Sequence, residues 1–127
     1  MKQDRQVRRG EVYFADLSPI VGSEQGGVRP VLVLQNDVGN VNSPTTVVAV
    51  ITSRRNKSKM PTHIEIKCSG LYKKSIALLE QLRTIDKSRL INKVGEVNAK
   101  TMTRIDKAVL ICLGVSEEGR DKSDAET

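Results

Sequence analysis

Apolar residues fall along this chain in short aliphatic runs, and three of those runs dominate its first half. Residues 12–17 read V-Y-F-A-D-L, residues 31–35 read V-L-V-L-Q, and residues 45–52 read T-T-V-V-A-V-I-T. Runs of β-branched and aliphatic residues bounded by turn residues predict strands, and near-continuous apolarity predicts burial on both faces. A first strand is expected over residues 11–17, ended by Ser18-Pro19, a second and central one over 31–35, and a third over 45–52. Gly39, Asn40, Asn42 and Ser43 mark residues 37–44 as a turn cluster between the last two. T-H-I-E-I at residues 62–66 alternates polar and apolar, as a half-exposed strand does, and further strands are expected over 75–80 and 90–97, with a loop at 67–74.

Only one stretch carries a convincing helical period. Met102, Ile105, Val109 and Cys112 fall on one stripe of residues 99–113, while Lys100, Thr103, Arg104 and Lys107 lie off it. Asn98 suits the N-cap and Gly114 the C-terminal cap. The order of elements predicts a mainly β domain with one packed C-terminal helix.

The segment at residues 22–30, G-S-E-Q-G-G-V-R-P, joins the first two strands. Gly26 and Gly27 allow a sharp turn and a close approach of ligand to backbone, and Ser23, Glu24 and Gln25 offer a hydroxyl, a carboxylate and an amide. Arg29 stands where the chain re-enters a strand, and Pro30 suits a strand's first residue because it removes a donor. Rigid elements holding a polar, glycine-rich loop form the usual layout of a binding or catalytic loop; a merely solvated hairpin loop is the plainer alternative.

Length and charge narrow the partner. The chain's 127 residues suit one domain with one core. Residues 116–127 hold five acids and two bases, −3, so a total of +6 leaves +9 on residues 1–115. A body this basic points to an anionic partner, with nucleic acid foremost. Residues 1–8 read as a basic arm, 9–115 as the folded domain and 116–127 as a charged, disordered tail. With Tyr13, Phe14 and Tyr72 as the only aromatics, base stacking along an aromatic sheet is excluded as the main mode of recognition. Four cations in residues 53–61, Arg54, Arg55, Lys57 and Lys59, directly follow Thr52 and suit an arm that grips phosphates, with a merely solvated surface as the plainer alternative. No apolar stretch nears the roughly 18 residues of a membrane span, and the N-terminus lacks a secretory h-region, so the expected compartment is the cytoplasm. Cys68 and Cys112, far apart and at no metal spacing, read as free thiols.

Several chemistries are missing. His63 is the sole histidine, which removes the paired-imidazole route to RNA cleavage, and its place in T-H-I-E-I suits the polar face of a strand. Neither a metal-ligand pattern nor a G-x-S-x-G nucleophile motif is present, so no metal and no cofactor is expected.

The loop motif, preceded by R-G-E-V-Y-F-A-D-L and joined downstream to V-V-A-V-I-T and L-L-E-Q-L-R-T-I-D, resembles the MazF/PemK family of toxin endoribonucleases over residues 9–115. The resemblance implies an SH3-like, CcdB-like β-barrel with a C-terminal helix, assembled as a homodimer. It also implies a metal-independent mRNA interferase that cuts single-stranded RNA at specific sequences, held inactive by an acidic antitoxin of the MazE kind. By the same resemblance Arg29 and Thr52 are the catalytic pair. A guanidinium and a hydroxyl can stabilise the charge that builds on phosphorus when a ribose 2′-hydroxyl attacks. A guanidinium, with a pKa above about 12, is a poor base, so Glu24 stands beside Arg29 as the alternative proton acceptor. Ser23, Gln25, Asn36, Arg54, Arg55 and Gln81 are expected to contact RNA, the amides and hydroxyls at unstacked base edges; for Asn36 and Gln81 the plainer role is to satisfy local backbone. A non-enzymatic, gyrase-poisoning toxin of the CcdB kind and a passive RNA-binding module are the rival readings.

Overall fold

The computed structural model describes residues 6–24, 26–53, 60–71 and 73–115. Six antiparallel strands form one sheet in the order β4-β5-β3-β2-β1-β6, with β1 at Glu11–Asp16, β2 at Val28–Val33, β3 at Thr45–Thr52, β4 at His63–Ile66, β5 at Ser75–Asp86 and β6 at Leu90–Glu96. A short helix α1 (Asp37–Asn42) links β2 to β3, and helix α2 (Ala99–Cys112) follows β6.

The connection from β5 to β6 dictates the shape of the sheet. These strands are four places apart in the order, which in a flat sheet means about 19 Å at the usual spacing. Yet only the 3₁₀ turn Lys87–Arg89 joins Asp86 to Leu90, and a link of that length reaches at most about 14 Å even fully extended. The sheet must therefore curl, as a barrel does. Ile85 of β5 and Leu90 of β6 accordingly meet in one buried cluster with Tyr13, Ala15, Val31, Val33, Val48 and Val50. The other face buries Val12, Leu32, Ala49, Ile51, Ala77 and Leu79 under Ile105 and Ala108 of α2. Consecutive residues of β1, β2 and β3 thus enter opposite clusters, which is why their sequences lack alternation.

Asn98 caps α2 as expected, its amide oxygen accepting from Thr101 N, and Gly114 ends the helix at φ +73°. Three expectations need correction. Residues 37–44 are not a turn cluster: Asn36 Oδ1 accepts from Gly39 N at 2.8 Å, and Asn40 donates to Gln35 O and to Asp37, so the polar residues build α1. The second strand begins three residues early, at Val28, because β1 pairs with it from Val28 onward while β3 joins only at Val31, one residue past Pro30. The fifth strand runs six residues further, to Asp86, through a bulge: Ala49 faces Leu82 and Val50 faces Leu78, leaving residues 79–81 as the insertion. Such an insertion bends the strand and disrupts the apolar pattern. The N-terminal arm up to residue 5 and the tail at 116–127 lie outside the described residues. Among the described residues no helix is long and apolar enough to cross a membrane.

Candidate active site

The loop between β1 and β2 is closed at its base and free at its tip. Leu17 N donates to Gly27 O at 2.9 Å, and Gly27 N donates to Ser18 Oγ at 3.2 Å. Gly27 adopts φ +74°, a conformation that side chains resist, so this closure requires glycine. At the tip, Glu24 N donates to Val21 O while Glu24 Oε1 accepts from Val21 N at 2.6 Å. Ser23 and Glu24 are exposed there, and Gln25 lies outside the described residues.

Arg29 is the second residue of β2 and half-buried. Its Nε donates to Gly26 O at 3.0 Å, so the loop orients the guanidinium. Thr52 ends β3 and is only 2% exposed, more buried than a strand terminus suggests. The β2–β3 ladder aligns the strand ends on which they stand. Leu32 pairs with Ala49 and Val31 with Val50, where the ladder stops; the same register extended two residues would set Arg29 opposite Thr52. Residues opposed across neighbouring strands share a face of the sheet.

A cavity of about 300 Å³ opens at this end of the sheet, lined by Phe14, Val28, Arg29, Pro30, Ile51, Ser53, Leu71 and Lys73 among others. Both chain neighbours of Thr52 line it, though Thr52 does not. Arg29 and Lys73 are the two cations among its lining residues, which are otherwise largely apolar, a lining that suits a phosphodiester more than a neutral metabolite. A somewhat larger cavity, about 380 Å³, lies between the end of α1 and the 3₁₀ turn, lined by Val41, Pro44, Lys87 and their neighbours. It holds none of the loop residues, so size alone does not mark the site.

The remaining candidates are scattered. The amide oxygen of Asn36 is engaged as the N-cap of α1. Gln81 sits in the β5 bulge, half-buried, and not after the strand. Arg54 and Arg55 lie outside the described residues. Glu24 is exposed, so the burial on which its service as a base was conditional is not met.

Two arrangements went unseen in the sequence. His63 pairs with Glu80, Nε2 to Oε2 at 2.8 Å, and Thr62 Oγ1 donates to Oε1 of the same carboxylate at 2.9 Å. Partial burial opposes ionisation of Glu80, but the hydrogen bonds from His63, its own backbone and Thr62 outweigh it and hold the carboxyl below its ordinary value. The T-H-I-E-I alternation placed His63 on a strand's polar face but gave no hint of the partner. The second arrangement is a pair of arginines, Arg83 and Arg89, that donate to main-chain carbonyls at the end of β1. Among the described residues no cluster of three or more His, Cys, Asp or Glu side chains could hold a metal ion.

Comparison with known proteins gives this geometry a context. Residues 8–113 match the sequence pattern of PemK-like, MazF-like toxins of type II toxin–antitoxin systems. Endoribonuclease EndoA of Bacillus subtilis is 57% identical over 111 residues, spanning 86% of this chain and 96% of that protein. MazF from Deinococcus radiodurans superposes with a TM-score of 0.77 at 24% identity, covering 88% of this chain and 100% of that one. An endoribonuclease from a mycobacterial species, solved with its cognate antitoxin, gives 0.73 at 25% identity, covering 87% and 97%.

Proposed function

The chain belongs to the PemK-like, MazF-like toxins of type II toxin–antitoxin systems, and from that membership we propose that Arg29 and Thr52 carry its chemistry. It is a toxin endoribonuclease, and the rival readings, a gyrase poison and a passive RNA-binding module, fall to its 57% identity with a named endoribonuclease. The observation that supports the assignment is that the loop, through Gly26 O, orients the guanidinium of Arg29 on β2, next to the strand β3 that ends in the buried Thr52.

In the proposed reaction a ribose 2′-oxygen attacks the adjacent phosphorus, the bond from phosphorus to the 5′-oxygen breaks, and the departing oxygen takes up a proton. The products are a 2′,3′-cyclic phosphate and a 5′-hydroxyl. With Nε held by Gly26 O, the Nη groups of Arg29 meet the non-bridging oxygens, and the Thr52 hydroxyl donates to the same developing charge. Donors fixed before the reaction stabilise that charge without reorganising. Arg29 and Glu24 are the two candidate acceptors of the 2′-proton, and Glu24→Gln separates them. Ser23, Gln25, Asn36 and Gln81 contact bases of single-stranded RNA, and Arg54 and Arg55 contact its phosphates. The protein works in the cytoplasm as a homodimer, and an acidic, MazE-like antitoxin occupies the basic surface.

The decisive test uses an oligoribonucleotide spanning a cut site mapped with the wild-type protein. Arg29→Ala should abolish cleavage with the melting temperature preserved, and a 2′-deoxy ribose at the scissile position should block the wild-type enzyme. A folded Arg29→Ala protein cutting at near wild-type rate overturns the site. Cleavage of the 2′-deoxy substrate at a comparable rate overturns the mechanism.

A further inference from the structure

Arg83 and Arg89 approach the catalytic loop from behind. Arg83 lies on β5, beyond the bulge, and its Nη1 donates to Leu17 O at 2.6 Å. Arg89, in the 3₁₀ turn, donates from Nη1 to Asp16 O at 3.0 Å and to Ser18 O. Three consecutive carbonyls, at the point where β1 gives way to the loop, are thus held by two guanidiniums, one from β5 across the curled sheet and one from the turn beside β6. Two of these residues hold the far end of the loop, Leu17 N donating to Gly27 O and Ser18 Oγ accepting from Gly27 N, while Asp16 Oδ1 accepts from Ser18 N at the near end. Gly27 follows Gly26, whose carbonyl takes the Nε of Arg29.

We propose that Arg83 and Arg89 are positioning residues for the cleavage reaction, acting through the main chain of residues 16–18 and 26–27 to set the direction of the Arg29 guanidinium. The proposal rests on the assignment of Arg29 as catalytic. Both arginines are half-buried, and the Nη1 of each is engaged by main-chain carbonyls at the loop base. Hydrogen bonds from charged donors are about twice as strong as neutral ones, which suits a clamp on a segment otherwise closed by two bonds. A misplacement of about 1 Å at a reacting group can cost on the order of 10² in rate. Releasing the loop base therefore affects turnover more than binding.

The experiment measures kcat and KM on the mapped oligoribonucleotide for full-length wild type, Arg29→Ala, Arg83→Gln, Arg83→Lys, Arg89→Gln and the control Arg104→Gln, each with a thermal melt. Arg104 also donates to a main-chain carbonyl, Glu65 O at 3.4 Å, but on the helix side away from the loop. Arg83→Gln and Arg89→Gln should each lower kcat by about 10- to 100-fold, with KM within about threefold of wild type, and Arg83→Lys, which keeps a charged donor, should recover part of the loss. Arg104→Gln should leave both constants unchanged. On an Arg29→Lys background, which lacks the Nε donor, Arg83→Gln should cost under about threefold, because residues that act through one group are not additive. Should Arg83→Gln fail to fold, Arg89→Gln and Arg83→Lys carry the test. Folded variants with wild-type kcat overturn the proposal, as does a loss confined to KM with a shallower salt dependence, the signature of a phosphate contact. An undiminished Arg29→Ala enzyme would instead overturn the assignment on which it rests.

Discussion

Thr52→Val is the sharpest single change available at this site, because it removes a hydroxyl and keeps the volume and β-branching of a residue that is 2% exposed. Its two consequences can be separated by magnitude. Losing a buried hydroxyl costs about 1–3 kcal/mol when its partner is left unsatisfied. A chain of 127 residues unfolds with an entropy near 0.27 kcal/mol/K, from about 2.1 cal/mol/K per residue, so each kcal/mol lowers the melting temperature by about 4 °C and the full range by about 4–11 °C. Even at the lower bound of ordinary stability, about 5 kcal/mol, a loss of 3 leaves about 97% of the protein folded at 25 °C. Destabilisation alone therefore lowers the measured rate by a few per cent. Removing a donor to a developing oxyanion costs on the order of 10²–10³ in kcat. Single-turnover cleavage at 25 °C, beside a thermal melt, distinguishes a change of a few per cent from one of two to three orders of magnitude. Thr52→Ser, which restores the hydroxyl, should recover most of the rate while melting lower than wild type. A Thr52→Val protein that cleaves within about threefold of wild type would refute the role assigned to this hydroxyl, whatever its melting temperature.

Three further outcomes follow from the packing and the charges. Ile105, fully buried on the inner face of α2, should cost about 2–4 kcal/mol when cut to alanine, and kcat at 20 °C should stay at the wild-type value, since α2 supplies none of the proposed catalytic residues. Glu80 has its folded pKa depressed below the ordinary value of 4.5, so its stabilising contribution is complete above that value and is lost as pH falls through the folded pKa; melts between pH 6 and pH 3 should show a shallower acid slope for Glu80→Gln than for wild type, and an identical slope would refute the pairing with His63. Lys73 lines the cavity beside Arg29, so Lys73→Gln should reduce the slope of log K for RNA against log salt by about 0.7, and an unchanged slope would mean that no phosphate passes there.

How much of this was legible beforehand depended on what kind of interaction made each feature. The runs at β1, β2 and β3 could be read because burial on both faces leaves a continuous apolar signature, and α2 because its stripe and its Asn98 and Gly114 ends coincide. The misread parts are those where polar residues are satisfied by an element and not by water. Asn36, Asp37 and Asn40 look like loop composition but bond to one another and to nearby main chain, closing α1. Glu80 and Gln81 look like the end of a strand, but the ladder accommodates them as an insertion and resumes at Leu82.

The same distinction runs through the candidate site. Arg29, Thr52 and the loop glycines were visible because their role depends on residue type: a cation, a hydroxyl and a missing Cβ. The alignment of the strand ends that carry Arg29 and Thr52 was not, since it comes from the apolar pairs Val31–Val50 and Leu32–Ala49, which carry no chemistry themselves. Arg83 and Arg89 are a stronger case. Each reaches main-chain carbonyls 66 to 73 residues away, and a bond to a carbonyl places no demand on the side chain of its partner. Among the described residues no salt bridge joins either arginine to an acid, and a basic body of +9 supplies many equivalent cations to choose among. Arg89 stands beside Leu90, which pairs with Ala15 of β1, but only the curl of the sheet, forced by the short Lys87–Arg89 link, brings Arg83 of β5 to the same place. The link that makes the barrel close is thus also the element that carries one half of the clamp, so a change to its length should disturb turnover before it disturbs the core.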